Sequence, residues 1–383
     1  MIIRKIRNKI TRSYRKSEKK RKIDELLNLT IDTVTDCQPV WSVKNENSEI
    51  LSEKITIFGV DINSDDINWH LDYVSGFEYP NDRFDKIKIS RWFDKGIDVK
   101  FPWELSRCYF LVRFTQLYRI TGDEMYYDRF RNLIIDWINK NPFLFGINWH
   151  CTMEVAIRAA NWVVAASIMN ERLEKDIEFK KLLIQSLIQH AHYISAFPEI
   201  KPGGHTNNHA VADFAGLLFL SQFLQNYTEA NKWRDQAVEG ILQCMDYQVY
   251  DDGSHFEGSI PYHRLVLEMF GYSTLMCRVH EIDLPNRFYI KLFKMFEFTA
   301  AYMDNGGNAP QIGDNDSGRF LIFHDSDEND HSYLLDLGEY IFEYKYLSQC
   351  YNRNKEYEKW LPSISKITLV NGSYKELFEK NIS

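Results

Sequence analysis

Pro202-Gly203-Gly204-His205-Thr206-Asn207-Asn208-His209, running straight into an apolar stretch from Ala210 to Leu224, is the segment from which the fold is read. A proline and two glycines end the preceding helix, and Thr206 or Asn207 is placed to cap the next by accepting a first-turn amide. Asn208 and His209 then fall in or beside that first turn, where backbone N–H groups are unpaired and the helix dipole favours negative charge. An amide and an imidazole there suit an anionic group that must be held and then deprotonated. The stretch Asp251-Asp252-Gly253-Ser254-His255-Phe256-Glu257-Gly258-Ser259-Ile260-Pro261-Tyr262-His263-Arg264 has the same form and adds a phenol. In a fold of stacked helical hairpins, polar turns that enter helices lie on one rim. Asn208, His209, Tyr262 and His263 are therefore expected to share a cleft.

Outward from these turns the chain reads as helix after helix. Leu105, Cys108, Leu111, Val112, Phe114 and Leu117 keep helical spacing until Thr121-Gly122-Asp123, and Tyr126 to Ile138 form the next helix, ended by Asn141-Pro142. Further helices are predicted over about 153–171, 177–196, 209–226, 229–249, 261–281 and 287–303, with no period-2 strand between Trp103 and Tyr302. Ala156 to Met169 and Phe214 to Leu224 are apolar around more than one face and need neighbours on several sides. The expected fold is all-α, an incomplete (α/α) toroid of stacked hairpins.

Residues 1–50 read as a basic and polar arm with a helix near Ser17 to Leu29, and 51–383 as a single toroid domain. A short strand or extended segment is expected at 55–59. An irregular stretch reaching about residue 98 reads as a packed aromatic flap, since long loops in compact domains are usually functional. A last helix is expected near Tyr333 to Leu347, and one strand over Ile364 to Tyr374.

The chain has 383 residues with 22 Tyr, 25 Phe and 9 Trp, mostly for interior packing, with a few beside polar turns as platforms for sugars. A net charge of -8 argues against wholesale nucleic-acid binding but leaves room for a locally basic groove. The basic start is a solvated arm or amphipathic helix, or else a contact for an anionic surface. It has no apolar core of the secretory kind, and no run reaches about 18 apolar residues, so no membrane span and a cytoplasmic location are expected. Cys37, Cys108, Cys151, Cys244, Cys277 and Cys350 show no CxxC and no paired spacing. They read as reduced core thiols, with no metal site and no cofactor expected.

Several side chains admit two readings. Asp252 and Glu257 are two carboxylates of the kind that glycoside hydrolysis needs. Asp314 and Asp316 lack the EF-hand spacing and its closing Glu, and read as turn formers and helix caps. Glu154 and Arg158 are an i,i+4 pair on one helix, or Arg158 faces the cleft and grips a carboxylate in bidentate fashion. Asn207, His205, Trp149 and Arg264 flank these positions. With Glu257, His263 and Arg158 they are the expected substrate contacts.

The runs Trp103-Glu104-Leu105-Ser106-Arg107, Thr121-Gly122-Asp123 and Asp136-Trp137-Ile138-Asn139-Lys140-Asn141-Pro142 resemble the N-terminal domain of the heparinase II/III-like family. So do Gly146-Ile147-Asn148-Trp149 with Met153-Glu154-Val155-Ala156-Ile157-Arg158, Asn207-Asn208-His209, and Gly253 to Ser259 with Tyr262-His263. Order and spacing agree from about Phe58 to Arg319. The resemblance implies a polysaccharide lyase that cleaves an acidic, uronate-containing polymer by β-elimination. Asn208 would neutralise the carboxylate, His209 would be neutraliser or base, and Tyr262 the acid that protonates the leaving oxygen. The family pattern also takes a histidine from an HxHxD-like motif in a β-sandwich domain, which His324 and His331 do not reproduce. The expectations left open are action with His209 as base, recruitment of a separate β-sandwich partner, or a truncated, non-catalytic glycan-binding toroid.

Overall fold

The computed structural model describes residues 2–31, 34, 36–43, 54–92, 95–201, 203–324, 327–343 and 355–369. Pro202, Cys350, the polar stretch 44–53, the expected helix beyond 343 and the expected strand beyond 369 lie outside them.

Helix α1 (Ile2–Leu27) is longer than its sequence suggests. Its last turns are no free arm, for Ile23 and Leu26 are buried and Lys22 Nζ donates to the Ala196 carbonyl at 2.8 Å. Trp41, 0% exposed, stacks between Phe219 and Phe323 and donates its indole N–H to Trp360 O at 2.8 Å. The part of residues 1–50 that is described thus belongs to the same core as the toroid. Two small antiparallel hairpins follow: β1 (Ile55–Ile57) with β2 (Val60–Ile62), and β3 (Leu71–Asp72) with β4 (Phe77–Glu78). The expected flap is packed, with Trp69, Tyr79 and Phe84 buried.

The single helix expected around Leu105 to Leu117 is two. Cys108 takes a left-handed backbone (φ 60°) that separates α2 (Lys100–Ser106) from α3 (Tyr109–Thr121). Then come α4 (Glu124–Lys140), α5 (Thr152–Ile168), the short α6 (Asn170–Leu173), α7 (Ile177–Ala196), α8 (Asn208–Phe223), α9 (Ala230–Gln248), α10 (Ile260–Val279) and α11 (Asn286–Tyr302). They end with α12 (Ser332–Ile341) and α13 (Lys355–Glu358). Near the expected C-terminal strand, the described residues hold one parallel bridge, Phe342 to Ile367.

Helices α3, α5, α8 and α10 form an inner row, each packed on the next, while α4, α7, α9 and α11 lie outside them. The sequence requires this division. Every residue of α5 is buried, and in α8 only His209 is not, so neither has a face to give to solvent. By contrast α4 and α9 bury one stripe each. The result is the expected incomplete α/α toroid.

The first turns of the inner helices share one rim, and two devices hold them there. Gly216 of α8 rests against the α5 backbone, where an added Cβ would stand 2.6 Å from Ala156 O. Gly253, at φ 88°, brings its turn against α11, where a Cβ would lie 2.2 Å from Lys294 O. We predict that Gly216→Ala destabilises the protein by about 1–3 kcal/mol through this clash. Helix propensity alone predicts a gain of about 1 kcal/mol, so the sign of the shift in the denaturant midpoint decides which effect wins.

Candidate functional site

The two polar turns do meet, and a residue outside both joins them. Gln248, at the end of α9, donates its amide to Thr206 Oγ1 and to Asn207 O, both at 2.9 Å. Its Oε1 pairs with His255 Nε2 at 2.9 Å. Asn208 Nδ2 then donates to Glu257 Oε2 at 2.7 Å, tying the start of α8 to the turn before α10. Neither Thr206 nor Asn207 caps α8 as expected: Asn207 occupies the N-cap position but its side chain makes no capping bond. The α8 amides therefore keep their pull on an anion. On α10, Ser259 does cap, accepting from Tyr262 N at 3.2 Å.

A cleft of about 150 Å³ lies on this rim, and Asn208, His209 and Tyr262 all line it. The first turns of the inner helices meet there: Met153 and Glu154 from α5, Asn208 and His209 from α8, Tyr262 and Leu265 from α10, and Arg107 just before α3. Lys100, Trp103 and Glu104 of α2, Asp316, Gly318 and the exposed Phe58 complete the lining.

The polar groups of the cleft are held in pairs. His209 Nδ1 bonds Glu199 Oε2 at 3.1 Å, which leaves Nε2 for a ligand. Burial pulls this imidazole down, but the hydrogen bond and charge of Glu199 outweigh it, and His209 ends above the ordinary histidine value. Burial likewise raises Glu199, yet the bonds from His209, Met153 N and Cys151 bring it below the usual range. Tyr262 donates its hydroxyl to Asp316 Oδ2 at 2.6 Å, and Asp316 is also paired with Lys100. Burial, and then the bond and charge of Asp316, push the phenol well above 10, so it stays a proton donor at neutral pH. Arg107 grips Glu154 with Nε (2.6 Å) and Nη2 (2.8 Å) and reaches Glu104 with Nη1 (2.7 Å). Burial still lifts Glu104 to about 7 against the pull of Arg107, with Glu154 adding to the rise.

Several expected contacts are elsewhere. Arg158 is fully buried and points away from the cleft. It donates to His190 Nε2 (3.0 Å), Ser106 Oγ (3.2 Å) and Asn148 O (3.2 Å), with the rings of Trp137 and Trp149 at 4.1 and 5.5 Å. Its i,i+4 partner Glu154 goes instead to Arg107, so neither reading of that pair holds. Trp149, 1% exposed, is part of this aromatic box and offers no face to a sugar. His263 is buried against Met295 O and Thr299, and burial pushes it to about 4. Arg264 is buried and donates to the carbonyls of Glu328 and Gly318. Arg158, His263 and Arg264 lie on the faces of α5 and α10 that turn into the core, and Trp149 is packed beneath the start of α5. His205 is exposed and pairs with the Tyr247 hydroxyl at 2.7 Å, outside the cleft lining, and Asn207 contributes its carbonyl to Gln248. Asp252 caps its own exposed turn through Ser254, apart from the cleft. Asp316, read as a turn former, is a cleft residue. His324 and His331 are buried and held neutral, pushed to about 3 and about 2 by burial and then by Arg319 and Arg264 respectively.

Lys100, Glu104, Arg107 and Glu199 were not read as site residues from the sequence, and Asp316 was read only as a turn former. Glu104 and Arg107 stand in the family-like run at 103–107, the one signal that was available; Lys100 and Glu199 carry none. The cleft itself is not basic, with Lys100 and Arg107 facing Glu104, Glu154 and Asp316. A more basic groove lies beside it, a cavity of about 430 Å³ that shares Phe58 and Glu104 and is lined by Lys54, Arg113, Arg264 and Arg319 against Glu104 and Glu328, with His324 neutral.

A profile of the heparinase II/III N-terminus matches residues 6–328, and the chain belongs to that family, one of polysaccharide lyases. It is 22% identical over 251 residues to a heparin-sulfate lyase of Bacteroides stercoris, covering 60% of this chain and 36% of the relative. With a heparin-sulfate lyase of Pedobacter heparinus it shares 23% identity over 245 residues, 62% of this chain and 35% of that protein. The chain thus spans about a third of the length of these curated relatives. A mutant heparan sulfate lyase from Pedobacter heparinus has the same fold, with a TM-score of 0.51 at 18% identity, covering 70% of this chain and 41% of that one. No helix of the described residues is long and apolar enough to cross a membrane.

The His209–Glu199 bond sets a titration that can be read directly. In chelator-treated protein, the His209 ring resonances should titrate with a midpoint above 6.5, and Glu199→Gln should bring it down. The stabilisation from raised His209 is complete below 6.5 and is lost as pH rises through its folded value; that from lowered Glu199 is complete above 4.5 and is lost as pH falls. The stability gap between wild type and Glu199→Gln should therefore be widest between those two values.

Proposed function

We propose that this cleft cleaves an acidic, uronate-containing polysaccharide by β-elimination. The observation that carries the reading is the convergence of Asn208, His209 and Tyr262 on one rim, each with its own carboxylate partner. The C5 proton of a uronate is removable only when the carboxylate charge is neutralised and the enolate-like intermediate is stabilised. The second Nδ2 hydrogen of Asn208 and the uncapped amides of α8 supply donors for that charge. His209 Nε2 then takes the C5 proton, its rise in charge answered by Glu199 at Nδ1. The electron pair forms the C4–C5 double bond, the C4–O4 bond breaks, and Tyr262 passes its proton to the leaving oxygen. With its phenol held protonated, Tyr262 suits the role of acid. Phe58 and Trp103 offer apolar faces to the sugar rings, and the adjoining basic groove suits further anionic groups of the polymer.

A second reading, glycan binding without turnover, is favoured by one feature. The Tyr262 hydroxyl and the Asn208 amide are already engaged by Asp316 and Glu257, and the lining is acidic. Hydrolysis has less support, since Asp252 is not in the cleft.

Incubation with heparan, chondroitin, alginate and bacterial capsule polymers should produce ultraviolet absorbance from the new double bond on at least one of them. Tyr262→Phe should lower that rate by about 10²–10⁴-fold with polymer retention kept. New reducing ends without absorbance would sink the elimination chemistry, and retention of a polymer with neither product would support the binding reading. Phe58→Ala should raise KM about 2–10-fold with kcat little changed, from the lost aromatic face.

A further inference from the structure

With Cys151 beside it, the His209–Glu199 pair of the cleft combines three different ligand chemistries. Cys151 ends the segment before α5, Glu199 lies in the loop after α7, and His209 is the second residue of α8. Cys151 Sγ lies 3.5 Å from Glu199 Oε2 and 3.8 Å from His209 Nδ1, and the last two atoms are 3.1 Å apart. A tetrahedral zinc ion, with Zn–S about 2.3 Å and Zn–N and Zn–O about 2.0–2.1 Å, sets such separations at about 3.3–3.6 Å. The three atoms therefore form a triangle close to one face of that tetrahedron without any backbone movement.

The surroundings favour a cation. The negative charges acting on Cys151 come from Glu199 and Glu154. Glu199 Oε2 is oriented by the Met153 amide at 3.0 Å, and the Glu199 amide donates to Asp213 Oδ2 at 2.6 Å. Such outer contacts hold ligands in place. The thiol is buried, while the side chains of His209 and Glu199 are 37% and 32% exposed. An ion can thus enter from the cleft and keep water as its fourth ligand, the pattern of an open site.

We propose that Cys151 Sγ, Glu199 Oε2 and His209 Nδ1 form a three-ligand site for a thiophilic divalent cation of the zinc class. The sequence gives no warning of it, because residues 151, 199 and 209 lack the close spacing by which thiolate sites are read. Metal binding is measured without polymer, so its failure is distinct from failure of the elimination chemistry.

Cobalt(II) added to the chelator-treated full chain should saturate at one ion per chain and develop the near-ultraviolet thiolate-to-cobalt band and the visible bands of a tetrahedral ion. Zinc should displace it. Cys151→Ser should abolish the thiolate band, and His209→Gln or Glu199→Gln should weaken zinc binding by more than about 10–100-fold, the range for changes to outer contacts alone. Far-ultraviolet circular dichroism of each metal-free variant shows that it is folded, and the other two replacements keep the test open if Cys151→Ser does not fold. No thiolate band in the wild type, a band that persists in Cys151→Ser, or unchanged zinc affinity in both other variants would overturn the proposal.

Discussion

The structure depends on the burial of α8 against α5. A helix of sixteen residues with one position outside the core cannot lie at a surface, and Gly216 lets it come onto Ala156 at backbone distance. With that contact made, α8 is enclosed by α5, α7, α9 and α10, and only its first turn is left to meet solvent. Asn208 and His209 occupy that turn. The chemistry of the rim is therefore a consequence of packing: the one polar end of an apolar helix has nowhere else to go.

The same constraint acts on the other inner helices and sets the electrostatics of the cleft. Their N-terminal turns converge, and several positive dipole ends in one place call for negative charge. Glu104, Glu154, Glu257 and Asp316 provide it, and Arg107 and Lys100 in turn hold Glu154, Glu104 and Asp316. The outcome is a cleft whose cations are already spoken for. Discrimination there rests on the placement of single donors and a held imidazole more than on a general positive field. The positive field lies in the neighbouring groove.

The site was partly legible. Asn208, His209 and Tyr262 follow from local rules, since a polar turn that enters a helix marks a rim position whatever its neighbours are. Arg158 and His263 illustrate where such rules stop. Arg158 is four residues after Glu154, and one helical turn moves it from the rim to an aromatic box of Trp137, Trp149 and His190. His263 directly follows Tyr262, yet the 100° between successive helical residues turns it into the core. Spacing along a helix says which residues share a face, but not which face the rest of the protein covers.

By itself the sequence determined the long helices from α4 to α11, their boundaries to within a few residues, and the inner place of α5 and α8, because periodicity, breakers and apolar length act over a few residues. The break at Cys108 escaped it, since a left-handed non-glycine residue leaves no mark in the pattern of apolar positions. Only the tertiary structure decided the pairings: Arg107 with Glu154, Tyr262 with Asp316, His209 with Glu199 and Cys151, and Gln248 across both turns. Each joins residues 7 to 58 positions apart in the chain. Such partners are selected by the packing of whole helices, and no local signal in the chain encodes which of several acidic residues arrives beside a given cation or hydroxyl.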